Sequence, residues 1–362
     1  MKRLKTALVG AGKVSHLHAA ALRALPESEF VAVCGRPTPG LAAFAAKYGV
    51  RAFTDVGEMI RSAGVQAVVV CTPHPAHAAP TIAAARAGVH VLVEKPMAST
   101  LADCDAMMAA AAAGGATIGV VSQRRFYPAC QRIRRALDAG SLGPPVLGLA
   151  ALLGWRGEDY YRSDPWRGSW AGEGGGVLVN QAPHQLDLLL WYMGEVEEVF
   201  GYWANVNHPA IEVEDTAVAV VRFKGGALGN IMVSNSQNPG ISGRVSVHGR
   251  NGASVGVQTD GGSMFIAGTT TIADAAFNDI WTVPGEEAMP AQWRAEDNAL
   301  FASVNPMEHF HRLQIEDFLR AAIAGRPPAV TASDGRRVVE LFTAIYRATR
   351  DGGPVRLPVP PR

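Results

Sequence analysis

The sequence predicts an α/β protein in two parts. A parallel sheet wrapped by helices occupies residues 1–122, and an antiparallel sheet with helices on one face occupies 123–362. Three observations carry this. At 362 residues the chain is longer than a usual single core. Over its first third, short apolar runs alternate with helix-patterned segments, as in a parallel sheet buried on both faces. Beyond Gln123 the strands alternate apolar and polar residues and pair through glycine turns, as antiparallel hairpins do.

The elements follow in order. Apolar strands are expected over 5–10, 30–35, 67–72, 89–96 and 117–123, with helices from Val14 to about Leu25 and over 40–48, 75–87 and 99–113. This is the grammar of a Rossmann domain. The second part opens with a helix over 128–139 and a strand over 145–154. Pro183 is tolerated only in a first helical turn, so the next helix starts near Leu178 to Gln181, with Asn180 as its cap. Hairpins turn at Gly225–Gly226 and near Asn251–Gly252. Residues 268–304 carry no clear pattern. Two amphipathic helices close the chain, "HFHRLQIEDFLRAAIAG" and "SDGRRVVELFTAIYRATR", the latter with Ser333 as N-cap.

Composition narrows the function. Hydrophobic residues make up 48% and charged residues 18%, the balance of a compact globular protein. A net charge of +1 gives no pull toward nucleic acid or anionic membrane. Cys34, Cys71, Cys104 and Cys130 are scattered, which suits buried thiols in a reducing compartment. Lys13 interrupts the apolar N-terminal run, and no stretch of about twenty apolar residues is present to span a bilayer. A cytoplasmic protein is expected.

"VGAGKVSHLH" follows the first strand and opens the first helix, placing Gly10, Gly12, Lys13, Val14 and Ser15 as a dinucleotide loop in G-x-G-x-x-S form. The first glycine permits the tight turn, the second lets backbone approach a pyrophosphate, and the helix N-terminus offers free N–H groups. After the second strand, where a carboxylate would meet a ribose hydroxyl, stand Gly35 and Arg36. A guanidinium there suits a 2′-phosphate, so NADP is expected, with NAD the alternative.

"VEKPMA" closing a parallel strand, the glycine loop, "CTPHPAH" and "GGGVLVNQAPHQLD" together resemble the Gfo/Idh/MocA oxidoreductases. The resemblance implies a Rossmann domain followed by an α/β domain with a large, mostly antiparallel sheet. It implies an active site in the cleft between them and a homodimer or homotetramer formed through that sheet. It further implies that Cys71, Thr72, Pro73, His74 and His77 form a loop over the cofactor, joined by Glu94, Lys95 and Gln123. Lys95 would contact the reacting hydroxyl or carbonyl, and His184 would carry the proton. The position four before the histidine is most often Asp in the family and here is Asn180. An amide orients a hydroxyl but accepts no proton at neutral pH, which leaves the acid/base work to His184 with help from Lys95. An imidazole, with an ordinary pKa of about 6.5, suits that task.

The reaction this predicts is hydride transfer between NAD(P) and a carbinol or keto carbon of a sugar, sugar acid, glycoside or cyclic polyol. Arg125 after the last parallel strand, and Tyr161, Trp166 and Arg167 in an aromatic loop, are candidate substrate contacts, since rings stack on sugar faces and an Arg fork pairs with acidic groups. Asp187 is read as a packing residue. No metal is expected: Cys71, His74 and His77 belong to the cofactor loop, and His309 and His311 diverge on a helix. Two other classes fit the same motifs, a glycosidase using tightly held NAD for transient oxidation and a nucleotide-sensing regulator without turnover.

Overall fold

The computed structural model describes residues 2–259 and 274–359. The chain divides into two compact units, one of residues 1–123 and 307–336, the other of 124–306 and 337–362.

In the first unit, strands β1 (Leu4–Val9), β2 (Ser28–Cys34), β3 (Arg51–Phe53), β4 (Ala67–Val70), β5 (His90–Val93) and β6 (Ile118–Val120) alternate with helices α1 (Ser15–Ala24), α2 (Pro39–Tyr48), α3 (Val56–Ala63), α4 (Ala78–Arg86) and α5 (Leu101–Gly114). The sheet runs β3-β2-β1-β4-β5-β6, all parallel, so the order reverses between β1 and β4. Both faces are covered, which is why β4 is four buried apolar residues without alternation. Side chains of Thr38, Asp55 and Thr100 cap α2, α3 and α5 at their starts, and left-handed glycines 49, 64 and 115 end them.

The second unit contains α6 (Pro128–Asp138), β7 (Pro145–Leu153), the short helices α7 (Glu158–Arg162), α8 (Trp170–Glu173) and α9 (Val177–Asn180), then α10 (Pro183–Met193). Strands β8 (Val196–Ala204), β9 (Thr216–Phe223), β10 (Leu228–Ser234), β11 (Ser242–Gly249), β12 (Ser254–Gln258) and β13 (Phe277–Trp281) follow, then α11 (Met289–Ser303). Helices α12 (Pro306–Ala324) and α13 (Ala332–Asp351) and strand β14 (Val355–Arg356) end the chain. The eight-stranded sheet runs β13-β12-β11-β7-β10-β9-β8-β14, antiparallel except for the β7–β10 pair. Helix α10 lies on its inner face, close enough that a Cβ at Gly148 would stand 2.7 Å from Met193 Cγ.

Four expectations are corrected. The first unit does not end at residue 122, because α12 returns to it: Ile315, Phe318, Leu319 and Ala322 join the core of Leu8, Val33, Val69 and Leu92. The helix expected from Asn180 onward is two pieces, α9 and α10, with Pro183 at the first position of α10 and no side-chain cap from Asn180. Thr331, not Ser333, caps α13, its Oγ1 accepting from the Asp334 amide at 3.1 Å. The unpatterned 268–304 region holds β13 and α11, its residues up to 273 lying outside those described. Among the described residues, no helix is long and apolar enough to cross a membrane.

Candidate active site

In the first unit the loops after β1, β4 and β5 emerge side by side at the carboxyl edge of the sheet, where the strand order reverses. Gly10 has φ +111°, and a Cβ on it would stand 2.7 Å from the Cys71 carbonyl oxygen, so the turn after β1 closes only on glycine. Gly12 is the opposite case: nothing lies within 4 Å of a Cβ there, leaving bare backbone facing open space at the mouth of α1. Gln123 Oε1 is buried with no hydrogen-bond partner among the described residues. An exposed cradle, a helix start and an unsatisfied amide oxygen fit a dinucleotide. Lys13 and Arg36 are exposed, Val14, Gly35 and Thr72 half-buried, and Pro73 exposed.

Several other expected cofactor residues are buried within the unit. His77 is fully buried, its Nδ1 2.9 Å from the Pro96 oxygen and its Nε2 2.9 Å from the Thr72 oxygen, so its ring ties the β4 loop to the β5 loop. Burial leads in lowering its pKa. The Ser15 hydroxyl, like Gln123 Oε1, is buried without a partner among the described residues. Cys71 and His74 are buried. Glu94 is buried against His18, with Oε1 2.7 Å from His18 Nε2. Lys95, the next residue, is half-buried, and its amide donates to Glu94 Oε2 at 3.1 Å.

In the second unit the triple glycine is explained by contact. A Cβ at Gly176 would stand 1.8 Å from the Glu214 carbonyl oxygen, and one at Gly175 would stand 2.4 Å from Tyr346 Oη. Glu214 holds the segment from below, accepting from the amides of Gly176 and Leu178, each at 2.9 Å, and from the Tyr346 hydroxyl at 2.8 Å. Burial nonetheless pushes its pKa up to about 7.

Beyond the glycines, Asn180 Nδ2 donates to the Glu173 carboxylate and to Tyr160 Oη at 3.0 Å. Tyr160 Oη also accepts from Gln181 Nε2 at 3.0 Å and from the Arg167 guanidinium. Gln181 Oε1 accepts from Asn235 Nδ2 at 3.1 Å, and Asn235 reaches Tyr161 Oη at 3.3 Å. The Arg167 guanidinium lies over the rings of Tyr160 and Trp166, at 4.1 and 4.5 Å. Tyr161, Trp166, Arg167 and Asn180 are thus brought together, with His184 buried in the first turn of α10. Arg125 is not among them: Nε and Nη2 meet Asp187 at 2.7 and 2.6 Å, a buried bidentate pair that pins α10 from within. Asp187 is thus the ion-pair partner of Arg125.

Tyr160, Glu173 and Glu214 are functional neighbours that sequence reasoning missed. Glu173 had a signal, being the acid inside "GEGGG". The amide at position 180, where the family most often has a carboxylate, has one supplied beside it by Glu173. Among the described residues, His18, Glu94 and His311 form the group with metal-ligand potential, their ligand-type atoms within 4.8 Å of one another.

Residues 4–122 match a family model described as an oxidoreductase family with an NAD-binding Rossmann fold, and 130–255 match the GFO/IDH/MocA C-terminal domain. The chain is 26% identical to myo-inositol 2-dehydrogenase of Thermotoga maritima, over 98% of each chain. It is 30% identical to trans-1,2-dihydrobenzene-1,2-diol dehydrogenase of Bos taurus, over 69% of this chain and 72% of that protein. The crystal structure of the WlbA dehydrogenase from Bordetella pertussis, in complex with NADH and UDP-GlcNAcA, is similar at a TM-score of 0.83 and 29% identity, covering 99% of this chain and all of that one.

Proposed function

For a chain that belongs to the Gfo/Idh/MocA family of oxidoreductases, we propose reversible hydride transfer between a nicotinamide dinucleotide and the carbinol or keto carbon of a sugar, sugar acid, glycoside or cyclic polyol. The observation that carries it is local to one sheet edge. The bare Gly12 cradle stands at the strand-order reversal where α/β proteins bind nucleotides, and the half-buried Lys95 stands on the loop after β5 at the same edge of the parallel sheet. When bound, the nicotinamide supplies the hydride acceptor in oxidation and the donor in reduction. The Lys95 ammonium stabilises the charge developing on the substrate oxygen, and His184 takes or returns its proton. Asn180, held by Glu173 and Tyr160, orients a hydroxyl, with Tyr161, Trp166 and Arg167 lining the substrate side.

The finer cofactor identity is proposed as NADP, because the exposed Arg36 follows β2 where no carboxylate stands. The substrate class is supported by the inositol and sugar dehydrogenases among the relatives. A homodimer or homotetramer is proposed through the exposed face of the eight-stranded sheet.

The test is a panel of inositols, sugars, sugar acids and glycosides, assayed with NAD and NADP separately and followed by nicotinamide absorbance. A substrate is expected to emerge with a lower KM for NADP than for NAD. Lys95→Met and His184→Gln should then each lower kcat by roughly 100-fold or more, the size of a lost acid/base group. Near-normal rates in either variant remove that residue from the reaction. No turnover anywhere in the panel removes the reading itself.

A further inference from the structure

Glu94 is the residue on which three elements of the first unit converge. It closes β5 and is 8% exposed. From α1 comes His18, 0% exposed, with Nε2 2.7 Å from Glu94 Oε1. From α12 comes His311, its ring edge-on to His18 at 5.4 Å, with Nδ1 donating to the Met307 carbonyl at 2.7 Å. The second Glu94 oxygen accepts the Lys95 amide at 3.1 Å. Nothing in the proposed proton transfer uses His18 or His311, both of which are shut away from solvent.

The charges within the cluster are consistent with an ion pair. Burial opposes a charge on His18, but the Cys71 sulfur and the Glu94 carboxylate beside it raise its pKa to about 10. Burial likewise opposes ionisation of Glu94, and the hydrogen bond and charge of His18 outweigh it, bringing it down to about 2. For His311 burial leads, and the His18 cation adds to it, lowering it to about 4. The groups facing the pair are Cys71, Lys95 and His311, and the directions of the shifts favour a charged His18–Glu94 pair over a charged His311. The same donor set raises the question of a cation. Two nitrogen or oxygen ligands about 2.0–2.1 Å from one tetrahedral zinc stand roughly 3.3 Å apart. The 2.7 Å between His18 Nε2 and Glu94 Oε1 is instead that of a charge-assisted hydrogen bond.

We propose that His18 is a positioning residue for Lys95, clamping Glu94 so that the carboxylate holds the Lys95 amide in place at the edge of the sheet. The clamp deepens the hydride-transfer reading, since it acts on the residue that reading places at the substrate. It links the start of α1, which follows the glycine loop, to the lysine on the loop after β5, two strands away in the sheet.

The test has one readout that needs no substrate. Pro96 has no amide hydrogen, so in native-state hydrogen exchange on the full chain a fragment ending there reports Lys95 beside the strand-bonded amide of Glu94. His18→Leu, which removes the donor, should accelerate Lys95 exchange by about tenfold or more, and His18→Gln, which keeps one, should restore it to within about threefold. Glu94→Leu leaves neither donor an acceptor and should match His18→Leu, and it carries the test if the His18 variant fails to fold. With a substrate in hand, kcat should fall about tenfold in His18→Leu while the cofactor KM stays within twofold. The double variant should lose no more than either single one, since both remove the same clamp.

Unchanged Lys95 exchange in both single variants overturns the proposal. So does acceleration spread evenly over the whole unit, or one equivalent of zinc in the purified protein. An inert unmutated chain would sink hydride transfer while leaving the exchange result to decide the clamp.

Discussion

Glu214 sets two rules of buried carboxylates against each other. Three donors converge on it, which favours the anion, yet it is entirely buried, and burial prevails in pushing its pKa from the ordinary 4.5 to about 7. The consequence for stability has a definite sign. Between about pH 4.5 and 7 the folded chain holds a proton that the unfolded chain has released, so stability falls as pH rises through that window. The slope is up to roughly 1.4 kcal/mol per pH unit from this one group. Below 4.5 both states are protonated, above 7 both are ionised, and the contribution is flat. Glu214→Gln should remove the slope and cost about 1–3 kcal/mol, because one amide N–H of the glycine segment loses its acceptor. Urea unfolding at pH 5, 6, 7 and 8 measures both effects. All seven tryptophans lie between Trp155 and Trp293, so their fluorescence reports the second unit alone. An unchanged slope in the variant would assign the protonation elsewhere.

At the scale of elements, what was legible from sequence was what local chemistry dictates. The glycine turns at Gly226 and Gly252 have φ of +85° and +90°, and both hairpins sit where those residues place them. The apolar strands of the parallel sheet were equally readable. Strand β13 was not, because Asn278 in its second position is buried and donates to the oxygens of Ala129 and Gly256, which breaks the apolar alternation. Nor was the return of α12 to the first unit, since no local pattern says which of two cores an amphipathic helix will join. The site was legible in the same uneven way. Its glycines, lysine and histidine announce themselves, whereas Glu214 and His18 acquire meaning only through partners distant in sequence. The glycine and the proline of the quoted segment should therefore respond differently to alanine. Gly176→Ala sets a Cβ against the Glu214 carbonyl and should destabilise the second unit by more than about 3 kcal/mol. Pro183→Ala, at the first position of α10, should change stability by less than about 1 kcal/mol. The same fluorescence-detected unfolding compares them, and equal losses would mean that proline, not close approach, organises the segment.

For the molecule as a whole, the outer face of the eight-stranded sheet is unusual for a surface in contact with water. Cross-strand register places Tyr202, Val218 and Met232 in one row and Phe200, Val220 and Asn230 in the next, with Leu228 beyond. Tyr202 is 62% exposed, Val220 58% and Leu228 56%, so large apolar side chains from three adjacent strands stand open together. Scattered singly they would need no account, but contiguous rows of this kind mark an interaction surface. A second copy of the same chain is the occupant proposed, because a face with an apolar row of Tyr202, Val218 and Met232 beside Phe200 and Val220 meets its own two-fold image with like surfaces opposed, as an isologous interface requires. The prediction is specific. Val220→Glu with Met232→Lys puts two charges in the middle of the rows and, since both positions point outward, should leave the thermal midpoint nearly unchanged. Sedimentation velocity should then show a dimer or tetramer for the unaltered chain and a monomer for the variant. If the unaltered chain sediments as a monomer at micromolar concentration, the apolar face has some other purpose. If the variant keeps the oligomer, another surface holds the copies together.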